Sequence, residues 1–576
     1  MTRTRESTGA VGLLLTVLLA ACASTPTVTL PSPSVAITYF PTTASPVPTL
    51  TPTILPPTAV PPTPTPLPPG VFIDPALPAD VIVTLQKRFD ARSGAVLTST
   101  AANAALRITH APTATPVMTV VYALAGAFPT LVDEAKGADL LRAWAGDPRA
   151  LTSVTNDGSP PLLYMAPEAR AALGLILGQP SPQARIVITD AARLATAVWA
   201  ARPAALAVLS FDQLDQRWKL LRLDGVNLFE REANLSAYPL ILRVGALGAL
   251  GDPALARVFG PPQTNRDPAR MAVVAMTGVT ALVRGTAIRM DEKGQTWPGA
   301  KIREWLRGAD IAHISNEVSF MDKCPAPDWN EGTVFCSSPK RLELLKDVGT
   351  DVIELTGNHL WDRGWENLST TLGLYRDLGW ATFGGGRTFR EALIPLTMTV
   401  NGNRIAFVGC NYFGADWATD TIPGSARCGR DSPYKFDLIT PTIKALAAQG
   451  YLVIATVQYA ELYDYKPSAG QVFDFEQLRA AGAVVVNGSQ GHHVQGFSVT
   501  PRGFIHYGTG NLFFGDQEGA GTHQTFVDRH VFYNGRYLGA DLRAAYIENE
   551  SQPVPMTPAA KVALLKTLFA VSGFEP

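Results

Sequence analysis

Downstream of Met271 the chain is built from short, mostly apolar runs at 271–276, 311–314, 352–355, 405–408, 452–457, 483–486 and 504–507. Runs of this length, bounded by turn residues, read as strands covered on both faces. Helical spacing fills several gaps between them. Ser338-Pro339 is an N-cap and first-turn pair, and the helix it opens carries Leu342 and Leu345 on one face before stopping at Gly349. A second helix carries Leu368, Leu372 and Tyr375 and ends near Gly379. Strands alternating with helices predict a layered α/β domain whose strand ends direct polar residues into one crevice.

Upstream the pattern is weaker. Leu140, Leu141 and Trp144 recur at helical spacing. A helix is expected from Pro167, with Ala171, Leu175 and Ile176 inward and a stop at Gly178. Residues 185–189 read as a buried strand and 191–201 as a helix, so a smaller α/β domain is expected here. Gly260-Pro261-Pro262-Gln263 interrupts the pattern. The expected boundaries are 71–265 and 266–576.

The stretch SFDQLDQRWKLLRLDG, from Ser210 to Gly225, followed by Tyr238-Pro239-Leu240, resembles the second lobe of extracytoplasmic solute-binding proteins of the phosphate-binding type. That resemblance implies a small anion or polymer fragment held between lobes. A structural domain without a ligand is the alternative.

At 576 residues the chain is too long for one core, so two folded domains with tails are expected. Its 48 Lys+Arg balance 49 Asp+Glu, which leaves no basic field for nucleic acid. Arg3 and Arg5 precede an apolar stretch that ends Leu19-Ala20-Ala21-Cys22, too short to span a bilayer comfortably. The small residues before Cys22 resemble a bacterial lipobox. This implies a signal peptide over 1–22 and diacylation of Cys22, with an ordinary signal peptide as the alternative. Residues 23–70 carry no charge and are rich in Pro and Thr, so they are expected to form a disordered spacer. The expected location is the bacterial cell envelope, outside the cytoplasm, with the membrane as partner through a lipid anchor.

Cys324, Cys336, Cys410 and Cys428 remain, and three disulfide pairings are possible. Proximity favours Cys324–Cys336 and Cys410–Cys428; no C-x-x-C spacing supports a metal.

Five segments then fall in one order. They are Ser315-Asn316-Glu317; Gly357-Asn358-His359 with Asp362 and Gly364; Gly384-Gly385-Gly386-Arg387; Gly488-Ser489-Gln490-Gly491-His492; and Tyr507-Gly508-Thr509-Gly510-Asn511-Leu512-Phe513-Phe514. This order resembles the CapA (poly-gamma-glutamate capsule) family, with its calcineurin-like metallophosphoesterase fold, over roughly 271–516. The resemblance implies a role in synthesis, export or anchoring of an anionic capsule-like polymer, with that polymer and capsule synthesis proteins as partners. It also implies a two-metal hydrolytic centre in which Glu317 is a carboxylate ligand, Asn358 a neutral oxygen ligand, His492 a ligand, and His359 a general acid oriented by Asp362.

The departures cut into that centre. Thr277-Gly278-Val279 stands where the family has Gly-Asp, Gln458-Tyr459-Ala460-Glu461 where it often has histidine before Trp-Gly, and Gln490 where it has a first histidine. Glu317 is the one clear carboxylate left among these positions unless Glu461 turns inward. Paired divalent cations need more negative charge than that. One loosely held manganese, zinc or magnesium ion, or none, is expected. Whether the chain is an enzyme or a non-catalytic ligand-binding lipoprotein stays open. His493 should point away from His492 if their loop is extended. His110, His313, His506, His523 and His530 read as structural or surface residues, Gly384-Gly385-Gly386 as relief of crowding, and Phe513-Phe514 as core.

Overall fold

The computed structural model describes residues 69–574, except 249–251, 331, 415, 431–434 and 516–518. Cys22, the signal peptide expected over 1–22 and spacer residues 23–68 lie outside the described residues. Residues Leu67–Pro576 form one compact unit. Among the described residues no helix is long and apolar enough to cross a membrane.

The downstream region is two sheets packed face to face with helices outside. The first runs in the order Ala381–Phe383, Val352–Glu354, Ile311–Asn316, Met271–Thr277, Gln524–Tyr533, Arg536–Glu548, Gln552–Pro555. Its first four strands are parallel and the last three antiparallel. The second runs Leu396–Val400, Asn403–Asn411, Leu452–Gln458, Ala483–Ser489, Gly503–His506, Phe497–Thr500. All seven apolar runs read from the sequence are strands here.

Alternation along each strand builds the layers. Val274, Ile311, Val352, Ile405, Leu452 and Ile454 point between the sheets, with Phe407, Phe526 and Leu568. Ala275, Ala312 and Ile353 point to the outer helices, meeting Leu345, Leu368 and Tyr375. On the other outer face Ala406, Val453 and Ala455 meet Ile443, Phe475 and Leu478.

The upstream region is one α/β sheet ordered Val96–Leu97, Gly70–Ile73, Leu106–His110, Ile241–Gly248, Thr115–Ala127, Ala205–Ser210, Leu162–Met165, Ile186–Ile188. Three local expectations are corrected. Leu141 is exposed, and the helix Gly137–Trp144 buries Leu140 and Trp144, one turn apart. The helix Pro167–Leu177 buries Ala169, Ala172 and Leu173, while Ala171 is exposed. That helix is apolar on most sides, so docking on the sheet rather than periodicity selects its inward stripe. Ile186–Ile188 is an edge strand with Ile188 exposed, not a buried one.

The two regions share interior. Met271, Val273, Val531 and Tyr533 belong to the upstream core, and Phe128 and Leu131 to the downstream one. Asp133 takes Lys219 and Lys561 as ion-pair partners, and Glu230 takes Arg529 and Arg543, so charge also ties one region to the other.

The five histidines read as structural are all held by protein groups. His313 Nε2 lies 3.0 Å from Glu354 Oε2 and His506 Nδ1 lies 2.6 Å from Asp528 Oδ2. His530 pairs with the Tyr537 hydroxyl, and His110 and His523 with backbone carbonyls.

Candidate functional site

Parallel strands end on one edge of their sheet, and these two sheets bring their strand ends together. Glu317 follows Ile311–Asn316, Asn358 and His359 follow Val352–Glu354, Gln458 ends Leu452–Gln458, and Gln490 and His492 follow Ala483–Ser489. Gly357 makes the approach possible: a Cβ there would lie 2.4 Å from both Cα and Cβ of Glu317. Gly384, Gly385 and Gly386 are crowded in the same way, with a Cβ on Gly385 meeting the Leu355 Cβ at 2.7 Å.

The result is a cleft of about 700 Å³. Asn358, His359, Glu461, Gln490 and His492 line it, together with Arg284, Phe335, Tyr463 and Phe514. Beneath this surface Gln458 Nε2 reaches Glu317 Oε2 at 3.3 Å, Asn358 Oδ1 at 3.0 Å, and Gln490 Oε1 in a short contact. Ser489 Oγ donates to Gln458 Oε1 at 2.8 Å. Glu317 is 1% exposed, and its Oε1 has no hydrogen-bond partner. Glu461 accepts a short hydrogen bond from the Tyr463 hydroxyl at the rim.

Each cleft histidine has one nitrogen engaged from behind. His359 Nδ1 lies 2.7 Å from Asp362 Oδ2, and its ring lies 4.7 Å from that of Phe335. His492 Nδ1 lies 2.8 Å from Asn511 Oδ1. Because Asn511 Nδ2 donates to the Thr522 carbonyl, its Oδ1 is the acceptor and His492 Nδ1 donates, leaving Nε2 for a ligand. Gln490 and His492 adopt φ of 75° and 47°, so this loop is a turn and not the extended segment considered for His493. His493 instead bonds the Val494 carbonyl and packs on Tyr465.

Burial works against charge on His359, but the Asp362 hydrogen bond and the carboxylates of Glu317, Asp362 and Asp416 outweigh it, holding the imidazole above its ordinary range. Burial pushes the neighbouring Asp416 carboxyl up to about 6. Asp416 Oδ2 accepts the Trp361 backbone N–H at 3.0 Å.

Several residues here escaped the sequence reading. Arg284, at φ 44°, begins the helix Arg284–Lys293, and its guanidinium lies 5.0 Å over the Phe335 ring. Phe335 directly precedes Cys336, whose disulfide to Cys324 fixes that wall; Cys410–Cys428 closes the loop that carries Asp416. These are the two pairings that proximity favoured. Phe513 is core as expected, but Phe514, equally buried, also forms cleft wall.

The donor set does not fit a pair of divalent cations. Val279, near the missing aspartate, packs with Val318, Phe335 and Phe514 in an apolar cluster. Among the described residues no group of three or more His, Cys, Asp or Glu converges as metal ligands would. Glu317, the amides of Asn358, Gln458 and Gln490, and the His492 imidazole supply a single negative charge.

Residues 273–516 match the sequence profile of the family described as "Bacterial capsule synthesis protein PGA_cap". The capsule biosynthesis protein CapA of Bacillus anthracis is 25% identical over 293 residues, which are 50% of this chain and 70% of that protein. A probable polyglutamine synthesis accessory protein of Mycobacterium tuberculosis is 25% identical over 199 residues, 33% of this chain and 51% of its own length. The chain thus spans about half of that relative. Among solved structures, an ABC-type phosphate transport receptor from Vibrio cholerae is similar at a TM-score of 0.26 and 11% identity, covering 32% of this chain and 88% of the receptor. A hypothetical protein from Thermus thermophilus gives 0.30 and 12%, covering 48% and 99%. Similarity at that level adds nothing to the architecture already described. The profile and the curated relatives agree with the order of strand-end motifs: through residues 273–516, the chain is similar to the bacterial capsule synthesis proteins of the CapA family.

Proposed function

We propose that this protein serves the synthesis, export or anchoring of a capsule-like anionic polymer at the cell envelope, and that its cleft holds a segment of that polymer. An envelope location with Cys22 as lipid anchor, expected from the sequence, belongs to the same proposal. The observation that carries it is the convergence of Arg284, His359 and His492 with Asn358 and Gln490 on one cleft within the family-matched residues. Arg284 offers a permanent positive charge, and His359, held above its ordinary range, adds a second at any pH below its raised value. The amides offer neutral hydrogen bonds, and the rings of Phe335, Tyr463 and Phe514 offer apolar contact.

The test is calorimetric titration of the purified protein with poly-γ-glutamate. Binding should weaken with added salt, and Arg284→Ala should cost about tenfold, roughly 1.4 kcal/mol. Equal affinity for a neutral polymer of the same length would sink the proposal. The His359–Asp362 pair favours a second reading, in which His359 donates a proton to a leaving group during hydrolysis of the bound chain. Polymer shortening that is lost in His359→Ala, with binding retained, would support it.

A further inference from the structure

We infer that the side-chain amide nitrogen of Gln458 stands where a cation would stand in this crevice, and that the oxygens of Glu317, Asn358 and Gln490 are organised around it.

Three acceptor oxygens from three separate strand ends converge on this one nitrogen: Glu317 Oε2 at 3.3 Å, Asn358 Oδ1 at 3.0 Å, and Gln490 Oε1 closer still. Oxygens gathered this tightly repel one another unless a donor or a positive charge lies between them. A primary amide has two hydrogens and a partial positive charge, and it can serve both needs without an ion. The orientation of the Gln458 amide follows from its neighbours. Ser489 Oγ, 2.8 Å from Oε1, is a hydroxyl and can face either end of an amide, whereas the Glu317 carboxylate on the other side can only accept.

Turning the amide over would aim four oxygens at one point, an arrangement stable only around a hard cation. The crevice therefore has two exclusive states, amide inward without metal or oxygen inward with it, and the hydrogen bonds are those of the first. Gln458 is thereby a positioning residue: it fixes Asn358 and Gln490, which line the cleft, from beneath. Glu317, 1% exposed, has its charge offset by this donor.

The inference concerns the same crevice as the proposed polymer role, but its test reads metal binding and thermal unfolding, so either can fail alone. The full chain, freed of metal with EDTA, is titrated with Mn²⁺ and with Mg²⁺. We expect no saturable heat and no change in Tm. Gln458→Glu sets a second carboxylate beside Glu317; it should lower Tm in EDTA, and saturable Mn²⁺ binding should restore it. Gln458→Leu should lower Tm with no rescue by either ion.

Stoichiometric Mn²⁺ or Mg²⁺ binding by the unaltered protein, or an undiminished Tm in Gln458→Leu, overturns the inference. Should Gln458→Glu fail to fold, the side-chain amide resonances of the unaltered protein decide. The pair absent from Gln458→Leu should exchange slowly with solvent, and fast exchange overturns the inference.

Discussion

His359 Nδ1 lies 2.7 Å from Asp362 Oδ2, and the same oxygen accepts the backbone N–H of Phe335 at 2.7 Å. One carboxylate oxygen therefore sets both the histidine ring and the aromatic wall beside it. His359 titrates above its ordinary range in the folded protein, so its stabilising contribution is complete below pH 6.5 and is lost as pH rises through the folded value. Asp362→Asn keeps a side-chain oxygen but removes the charge. The midpoint of the His359 ring-proton NMR titration should move to lower pH; an unmoved midpoint would clear Asp362 of this role.

Asp416 shifts stability in the same direction, over a lower pH window. Its carboxyl is raised to about 6, so between pH 3.8 and about 6 the native state keeps a proton that the unfolded chain releases, and stability falls as pH rises through that window. Asp416→Asn can still accept from the Trp361 N–H. It should stabilise the protein at pH 7.5 by up to about 3 kcal/mol and leave it unchanged at pH 3.5, as read by urea unfolding. Equal effects at both values would mean that the carboxyl is well solvated.

Asp133 sits between Lys219 and Lys561, and burial brings the Lys561 ammonium down to about 8. Asp133→Ala leaves two largely buried ammonium groups without their shared counter-charge. Removing one partner of such a group costs about 3 kcal/mol, visible as a lower guanidinium midpoint. Replacing Lys561 by Met in the same chain should recover part of that loss; a further drop would refute the account.

Cys324 and Cys336 are 12 residues apart, and Cys410 and Cys428 are 18 apart. Each closure removes about 3 kcal/mol of chain entropy from the unfolded state. Replacing both Cys324 and Cys336 by Ser should lower Tm and also weaken polymer binding, because Phe335 is next in the chain. Replacing Cys410 and Cys428 should lower Tm with less effect on binding. Identical loss of affinity in both pairs would remove the link between the first disulfide and the cleft wall.

The strands were legible because their residues are apolar toward both layers, and that pattern survives without tertiary context. Glu317, Asn358, His359, Gln458, Gln490 and His492 were legible as candidates because they stand in, or at the departures from, an order of motifs that resembles the CapA family. Phe335 and Tyr463, on loops, and Arg284, at the first position of a helix, were not, since packing rather than periodicity brings them to the cleft. Glu354 shows the same limit inside a strand: its partner His313 is 41 residues away, and nothing local announces the pair. The helix Pro167–Leu177 misled because Ala and Leu on several sides leave no unique stripe.

The strand Met271–Thr277 has a practical consequence. Met271 and Val273 are embedded in one core while Ala272 and Val274 are embedded in the other, and Gln524–Tyr533 flanks it. An expression fragment trimmed to 273–516 would lose that neighbour and bare an apolar face to solvent, inviting aggregation. The stretch that the family profile covers is shorter than the stretch that packs as one unit.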